Sequence, residues 1–83
     1  MERFYTLNKL HPGESARVRR LNSKGGMRRR MLDMGIVVGT LITCLSRSSA
    51  GGTAAYRIRG AVIAIRDEDS RDIVVAPEVE HGI

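Results

Sequence analysis

Alternating apolar and polar residues predict short β-strands along most of this chain. Ala16 and Val18 alternate with Arg17 and Arg19, so the first strand has one apolar face and one basic face. Alternation or β-branched residues mark further strands over residues 40–46, 56–59, 62–65 and 73–75. A chain in which most segments are predicted strands is expected to be a mainly β protein.

A change of period predicts one short amphipathic helix between the first and second of these strands. Met27, Met31 and Met34 stand at positions i, i+4 and i+7, which places them on one side of a helix. Gly35 follows at once, where a helix end favours the left-handed conformation, and Ile36 is expected to pack back on the last turn. The helix is therefore expected to end at Gly35.

Two more glycines stand where a turn calls for them. Gly39 precedes the second strand, and Gly60 follows Arg59 between two alternating segments. A type I turn followed by a bulge would place Gly60 in the left-handed region. We therefore expect Gly35, Gly39 and Gly60 to be structural turn glycines.

These elements favour one small barrel. Short strands with few aromatic residues bury their apolar sides best in a closed or nearly closed sheet. We predict a five-stranded SH3-like barrel with one short α-helix between strands 1 and 2, as a single domain over residues 1–83. Residues 5–10 form an entry segment with one helical turn or a short strand, 67–72 a polar turn or short helix, and 77–83 a frayed tail. The core is expected to contain Ala16, Val18, Leu32, Ile42, Cys44, Ile58, Ile63, Ile65, Ile73 and Val75.

The charge of the chain is basic and unevenly distributed. The 83 residues include 14 Lys and Arg against 9 Asp and Glu, for a net charge of +5. Up to Arg47 there are ten cations and three anions, whereas the remainder has four cations and six anions. The length excludes a two-domain enzyme. The basic half predicts an acidic partner surface or a polyanion.

Residues suited to catalysis or metal binding are few and widely separated. His11, Cys44 and His81 have no paired spacing such as CxxC or HxxxH. We expect no catalytic site, no metal site and no cofactor. His11 is then expected to cap a turn, Cys44 to be buried beside Ile42, and His81 to lie in a disordered end. A single cysteine and the lack of an apolar signal stretch favour a reducing compartment.

The densest charge in the sequence is the run Arg28, Arg29, Arg30 on the predicted helix. It is either a solvated helix face, with Arg30 paired to Asp33, or a docking surface that steers an acidic partner. The methionine stripe is either core or, at Met31, an exposed apolar centre for the same interface. We predict a partner-binding site of Arg28, Arg29, Arg30 and Met31.

Several of these segments together resemble the FeoA family of bacterial ferrous iron uptake. The resemblance rests on residues 30–40 (RMLDMGIVVGT), 56–60 (YRIRG), 63–66 (IAIR) and 73–75 (IVV). It also includes the entry segment 6–14, TLNKLHPGE, and extends over nearly the whole chain. The resemblance implies an SH3-like fold and a small accessory protein.

The resemblance further implies a cytoplasmic adaptor, not an enzyme, that binds and modulates a FeoB-type ferrous iron transporter through its cytoplasmic region. The protein would then meet the membrane only through this partner. A homo-oligomer is one of the expected assembly states. One alternative is a nucleic-acid-binding barrel, although interleaved aromatic residues for stacking are lacking. Another is a stand-alone regulatory domain related to the C-terminal domain of DtxR-type repressors. No specific nucleic acid is expected.

Overall fold

The computed structural model describes residues 3–78, and within them it contains six strands and two short α-helices. The elements in chain order are β1 (Tyr5–Thr6), β2 (Ser15–Leu21), α1 (Gly25–Asp33), β3 (Leu41–Arg47), β4 (Thr53–Ile58), β5 (Ala61–Arg66), α2 (Asp67–Ser70) and β6 (Ile73–Pro77). A 3-10 helix over Leu7–Lys9 follows β1 directly, so the entry segment contains both a short strand and a helical turn. Pro77 ends a strand and is not part of a frayed tail. His81 lies outside the described residues.

The strands form one antiparallel sheet in the order β1-β6-β2-β3-β4-β5. The mainly β class with a helix between two strands is confirmed, but the number of strands is six. The extra strand is β1, which pairs Tyr5 with Val75 and Thr6 with Val74. Within residues 3–78 no ladder joins β1 to β5, so hydrogen bonds do not close a barrel. The 3-10 helix and α2, which pack against each other, lie between these two ends of the sheet.

One hydrophobic core lies inside this curved sheet. The predicted strand residues that are buried are Ala16, Val18, Ile42, Cys44, Ile58, Ile65, Ile73 and Val75. Ile63 is half-buried and packs against the same core. The prediction for Leu32 was wrong, since its side chain is 41% exposed. Leu32 lies one residue beyond Met31, which turns it about 100° away from the methionine stripe.

Gly35 ends α1 in a Schellman motif, in which two backbone bonds close the last turn. The Ile36 N–H donates to Met31 O at 3.0 Å, and the Gly35 N–H donates to Leu32 O at 2.9 Å. Gly35 has φ +87°, the left-handed conformation expected from the sequence. Ile36 is fully buried, so it does pack back beneath the helix end.

The turn between β4 and β5 differs from the expected type. Ile58 pairs with Ala61, which leaves a two-residue loop of Arg59 and Gly60. Both loop residues have positive φ, at +50° and +83°, which is typical of a type I′ turn and not of a type I turn plus bulge. Gly39 also has positive φ, at +93°. All three predicted glycines therefore lie in the left-handed region.

Arg47 joins the end of β3 to two distant segments. Its Nη2 donates to Leu10 O at 2.8 Å and also to Asn8 O, and its Nη1 donates to Asp67 Oδ1 at 3.2 Å. The guanidinium therefore binds the last carbonyls of the 3-10 segment and the first residue of α2. This side chain fixes the elements that lie between β1 and β5.

Candidate docking surface

The three helix arginines are all exposed, but they do not share one face of α1. Successive residues of an α-helix are rotated by about 100°, and the methionine stripe faces the core. Arg28 and Arg30 therefore flank this stripe on opposite sides, while Arg29 points away from the body of the protein. The arginines form a basic surface around the outer sides of the helix.

The contacts of Arg28 and Arg30 agree with this arrangement. Arg28 Nη1 donates to Leu21 O at 2.7 Å, which draws it toward the end of β2. Arg30 lies on the other side, where it lines a groove between α1 and β5. Of the ion pairs within residues 3–78, none joins Arg30 to Asp33, so the solvated pair considered from the sequence is not formed.

Met31 is not an exposed apolar centre. Only 2% of it is exposed, and it belongs to the hydrophobic core. Its place on the stripe with Met27 and Met34 explains the burial, since all three pack toward the sheet. The exposed apolar residue beside the arginines is instead Leu32. We call Arg28, Arg29, Arg30 and Leu32 the α1 surface.

A second basic surface lies on the outer side of the sheet. Thr43 pairs with Arg57, and Arg57 pairs with Val62, so these three stand in a row across β3, β4 and β5. Arg57 is exposed, and Val62 is 61% exposed. Leu41 and Arg59 line the same shallow depression as Arg57. The pairing of β4 with β5 brings Val62 beside Arg57, although the two are five residues apart in sequence.

The groove between α1 and β5 is a third feature, which the sequence did not indicate. It has a volume of about 240 Å³. Met27, Met31, Met34 and Arg30 line it from the helix, and four consecutive residues from Ile63 to Arg66 line it from the strand. Asp69 of α2 lies at the same groove. Only the order of the strands, which leaves β5 at an edge, brings it next to the helix.

The aromatic residues are not arranged as a stacking platform. Tyr56 is fully buried, and its hydroxyl lies 3.5 Å from Leu7 O. The guanidinium group of Arg19 lies over the exposed Phe4 ring, with its carbon 5.7 Å from the ring centroid. Nothing on this surface adds to the case for nucleic-acid binding.

The remaining polar groups form no recognisable reaction centre in the part of the chain that the structure describes. No group of three His, Cys, Asp or Glu residues there is suited to hold a metal ion. Burial raises the pKa of the Cys44 thiol, and Arg47 partly opposes this shift. At the turn before β2, the His11 N–H donates to Glu14 Oε1 at 2.8 Å, so Glu14 supplies the capping side chain.

Helices of the described region are also too short or too polar to cross a membrane. The fold is a small open antiparallel sheet with one amphipathic helix between two of its strands. The fold is SH3-like: it matches the structure of FeoA from Stenotrophomonas maltophilia, described as a prokaryotic SH3 domain protein, with a TM-score of 0.76. That match is 22% identical and covers 84% of this chain and 87% of the other.

The chain belongs to the FeoA family, because the FeoA domain model matches residues 5–77. It is 35% identical over 69 residues to a fusion of Fe(2+) transport protein A with the Fe(2+) transporter FeoB from Porphyromonas gingivalis. This match covers 83% of the chain but only 8% of the fusion protein.

Solved structures repeat the same fold. A FeoA-like protein from Clostridium acetobutylicum is 30% identical with a TM-score of 0.85, and the match covers 100% of this chain and 96% of the other. A manganese-dependent transcriptional repressor shares the fold at 20% identity and a TM-score of 0.82, over 90% of this chain and 41% of the repressor. The expected relation to a repressor domain is thus present at the level of fold.

Proposed function

We propose that this chain is a cytoplasmic adaptor of ferrous iron uptake that binds and modulates a FeoB-type transporter and catalyses no reaction itself. The observation that carries the proposal is the fusion protein, in which a domain 35% identical to this chain is joined to FeoB. Joining two modules raises their effective concentration for each other, which favours contact between them. The adaptor would reach the membrane only through this partner.

We propose the α1 surface as the docking site. Arg28, Arg29 and Arg30 are exposed, and together they carry the densest charge of a chain with net charge +5. Exposed arginines attract an acidic surface over a distance and orient it before contact. Leu32 supplies exposed apolar area next to them, in the role first assigned to Met31. Met31 would act only indirectly, by supporting the helix from the core.

A capture experiment tests the proposal. The folded protein is immobilised, and the soluble cytoplasmic region of the cognate FeoB-type transporter is passed over it without nucleotide, with GDP and with a non-hydrolysable GTP analogue. We expect capture in at least one state. The absence of capture in all three would contradict the proposal.

The same immobilised protein tests the alternative function, nucleic-acid binding. Generic duplex and single-stranded DNA are titrated at several salt concentrations. We expect weak binding that disappears as salt increases, because phosphate contacts are screened. Tight DNA binding without capture of the transporter region would favour the alternative.

A further inference from the structure

Strand β5 forms one edge of the sheet, and its only charged residue is Arg66 at its end. Its first five residues are the apolar run Ala61, Val62, Ile63, Ala64 and Ile65. The strand contains no proline or lysine, and its register with β4 has no bulge. Natural sheets protect edges with charges, prolines, bulges or very short strands. The opposite edge, β1, is only two residues long, so β5 is the longer open edge in the part of the chain that the structure describes.

The turn fixes which backbone groups of β5 are free. In a two-residue hairpin the residues next to the loop form a hydrogen-bonded pair, and hydrogen-bonded and open pairs then alternate. Ile58 and Ala61 are that first pair, so Val62 and Ala64 stand in open pairs. Their N–H and C=O groups therefore point away from β4. Within residues 3–78 no backbone bond from another element reaches them.

The groove described above runs along this free edge. Neighbouring residues of a strand point to opposite sides of the sheet, so a lining of four consecutive residues means that the edge itself faces the groove. The far wall is the methionine side of α1. Methionine adapts its shape to different side chains, which suits a wall that must accept a partner.

Charge indicates which strand would fit. Arg30 and Arg66 line the groove against one acidic residue, Asp69. Arg66 is 74% exposed and makes one solvent-exposed pair with Glu68, which is a weak interaction. A strand with acidic side chains is favoured here, whereas a second copy of this chain would bring a second set of arginines into the groove.

We infer that an extended acidic segment of the partner adds to β5 as a further strand, in the groove between β5 and α1. Its backbone would bond the free N–H and C=O groups of Val62 and Ala64, and alternate side chains would contact Met27 and Met34, the half-buried methionines of the groove wall. Acidic side chains would meet Arg30 and Arg66. The identity of the partner rests on the proposed function, whereas the mode of binding does not.

The test compares two substitutions at one position. Ala64→Pro removes the outward N–H without removing a bond to β4, and Ala64→Val adds side-chain volume but keeps that N–H. Both variants and the parent are checked for folding by NMR, and their affinities for the transporter's cytoplasmic region are measured. We expect Ala64→Pro to weaken binding about tenfold and Ala64→Val to change it less than about threefold.

Amide hydrogen exchange of the parent provides a second measurement that needs no variant. The Val62 and Ala64 amides are expected to exchange fast in the free protein and to be protected in the complex. This result supports strand addition even if Ala64→Pro fails to fold. Unprotected amides in a formed complex, or parent-like affinity of a folded Ala64→Pro variant, would overturn the inference and leave the proposed function intact.

An experiment with synthetic peptides distinguishes failure of the inference from failure of the proposed function. The probe is a synthetic strand of about eight residues that alternates Glu and Val, with a Lys and Val strand as its control. Protection by the Glu strand alone supports the inference even if the transporter region does not bind. Protection already present in the free protein, together with a dimer in sedimentation that Ala64→Pro dissociates, would overturn it in favour of a second copy.

Discussion

Gly35, at the end of α1, lies directly beneath the side chain of Arg59 in the β4–β5 turn. A Cβ atom on Gly35 would overlap Cδ of Arg59, and both residues have positive φ, at +87° and +50°. The end of the helix therefore packs closely against the turn of the hairpin. This contact holds the second basic surface, with Arg57 and Arg59, next to the helix end.

Replacing Gly35 by alanine should lower the free energy of unfolding by about 1–2 kcal/mol, because an L-residue resists the left-handed conformation. The added Cβ would also displace the Arg59 side chain. The matched control is Gly26→Ala, inside α1, where a Cβ meets nothing within 4 Å. That control should be neutral or slightly stabilising, since alanine favours helix. Urea unfolding that shows equal stability for parent and Gly35→Ala would refute this assignment.

Arg59→Asn should stabilise the protein by up to about 1 kcal/mol. Asparagine tolerates positive φ better than arginine, and Asn-Gly is the preferred pair in a type I′ turn. The shorter side chain also leaves more space above Gly35, so the cost of Gly35→Ala should be smaller in this background. Thermal and urea unfolding of the two single variants and the double variant measure both effects. A loss of stability in Arg59→Asn would show that its contact with Gly35 outweighs the strain.

The end of α1 was predictable from the sequence because its signals are local. The methionine period, the glycine after Met34 and the apolar residue at Ile36 all lie within one short segment, and the structure has the Schellman bonds that they indicate. The strands were predictable for the same reason, since alternation reports the buried side of each. Leu32 is exposed because its rotation away from the methionine stripe, and not its apolar character, decides which side of α1 it occupies.

Features that depend on pairing between distant segments were not predictable. A short strand was one of the two expectations for the entry segment, but its pairing with β6 through Tyr5 and Thr6 carries no sequence signal. The groove beside β5 depends on the order of the strands. The hydrogen bonds of Arg47 also had no sequence signal, because their acceptors belong to residues 8, 10 and 67, which are far from it in sequence.

Arg47→Met should lower the free energy of unfolding by about 2–3 kcal/mol. The substitution keeps a long side chain but leaves the Asn8 and Leu10 carbonyls without their donor and Asp67 without its cation. Arg66→Met is the control, because its pair with Glu68 is exposed and should change stability by less than about 0.5 kcal/mol. Similar urea midpoints for both variants would contradict a structural role for Arg47.

Stability should decrease at high pH. Burial raises the pKa of the Tyr56 hydroxyl and of the Cys44 thiol, so the folded protein holds these protons longer than the unfolded chain does. Their contribution is complete below the unfolded pKa values, about 8.5 for Cys and about 10 for Tyr, and is lost as pH rises past them through the higher folded pKa values. Tyr56→Phe removes one of the two groups and should reduce this loss. Urea unfolding at a series of pH values tests this, and an equal loss in both proteins would argue against a contribution from Tyr56.

The central claim is that the α1 surface docks the transporter, and association kinetics test it most directly. The variant Arg28→Glu, Arg29→Glu, Arg30→Glu reverses the charges of α1. The matched control Arg57→Glu, Arg59→Glu, Arg71→Glu changes the net charge equally at three other exposed arginines. Both must be shown to be folded, since Arg28 bonds Leu21 O. A further variant, Leu32→Ala, should mainly speed dissociation.

The measurement is the association rate with the transporter's cytoplasmic region at low and at moderate salt. We predict that the α1 variant associates at least about tenfold more slowly than the control at low salt. The difference should shrink near 0.1 M salt, where charges are screened over about 10 Å. If the folded α1 variant associates as fast as the parent at low salt while the control is slow, the docking site is the surface of Arg57 and Arg59, and the central claim is wrong.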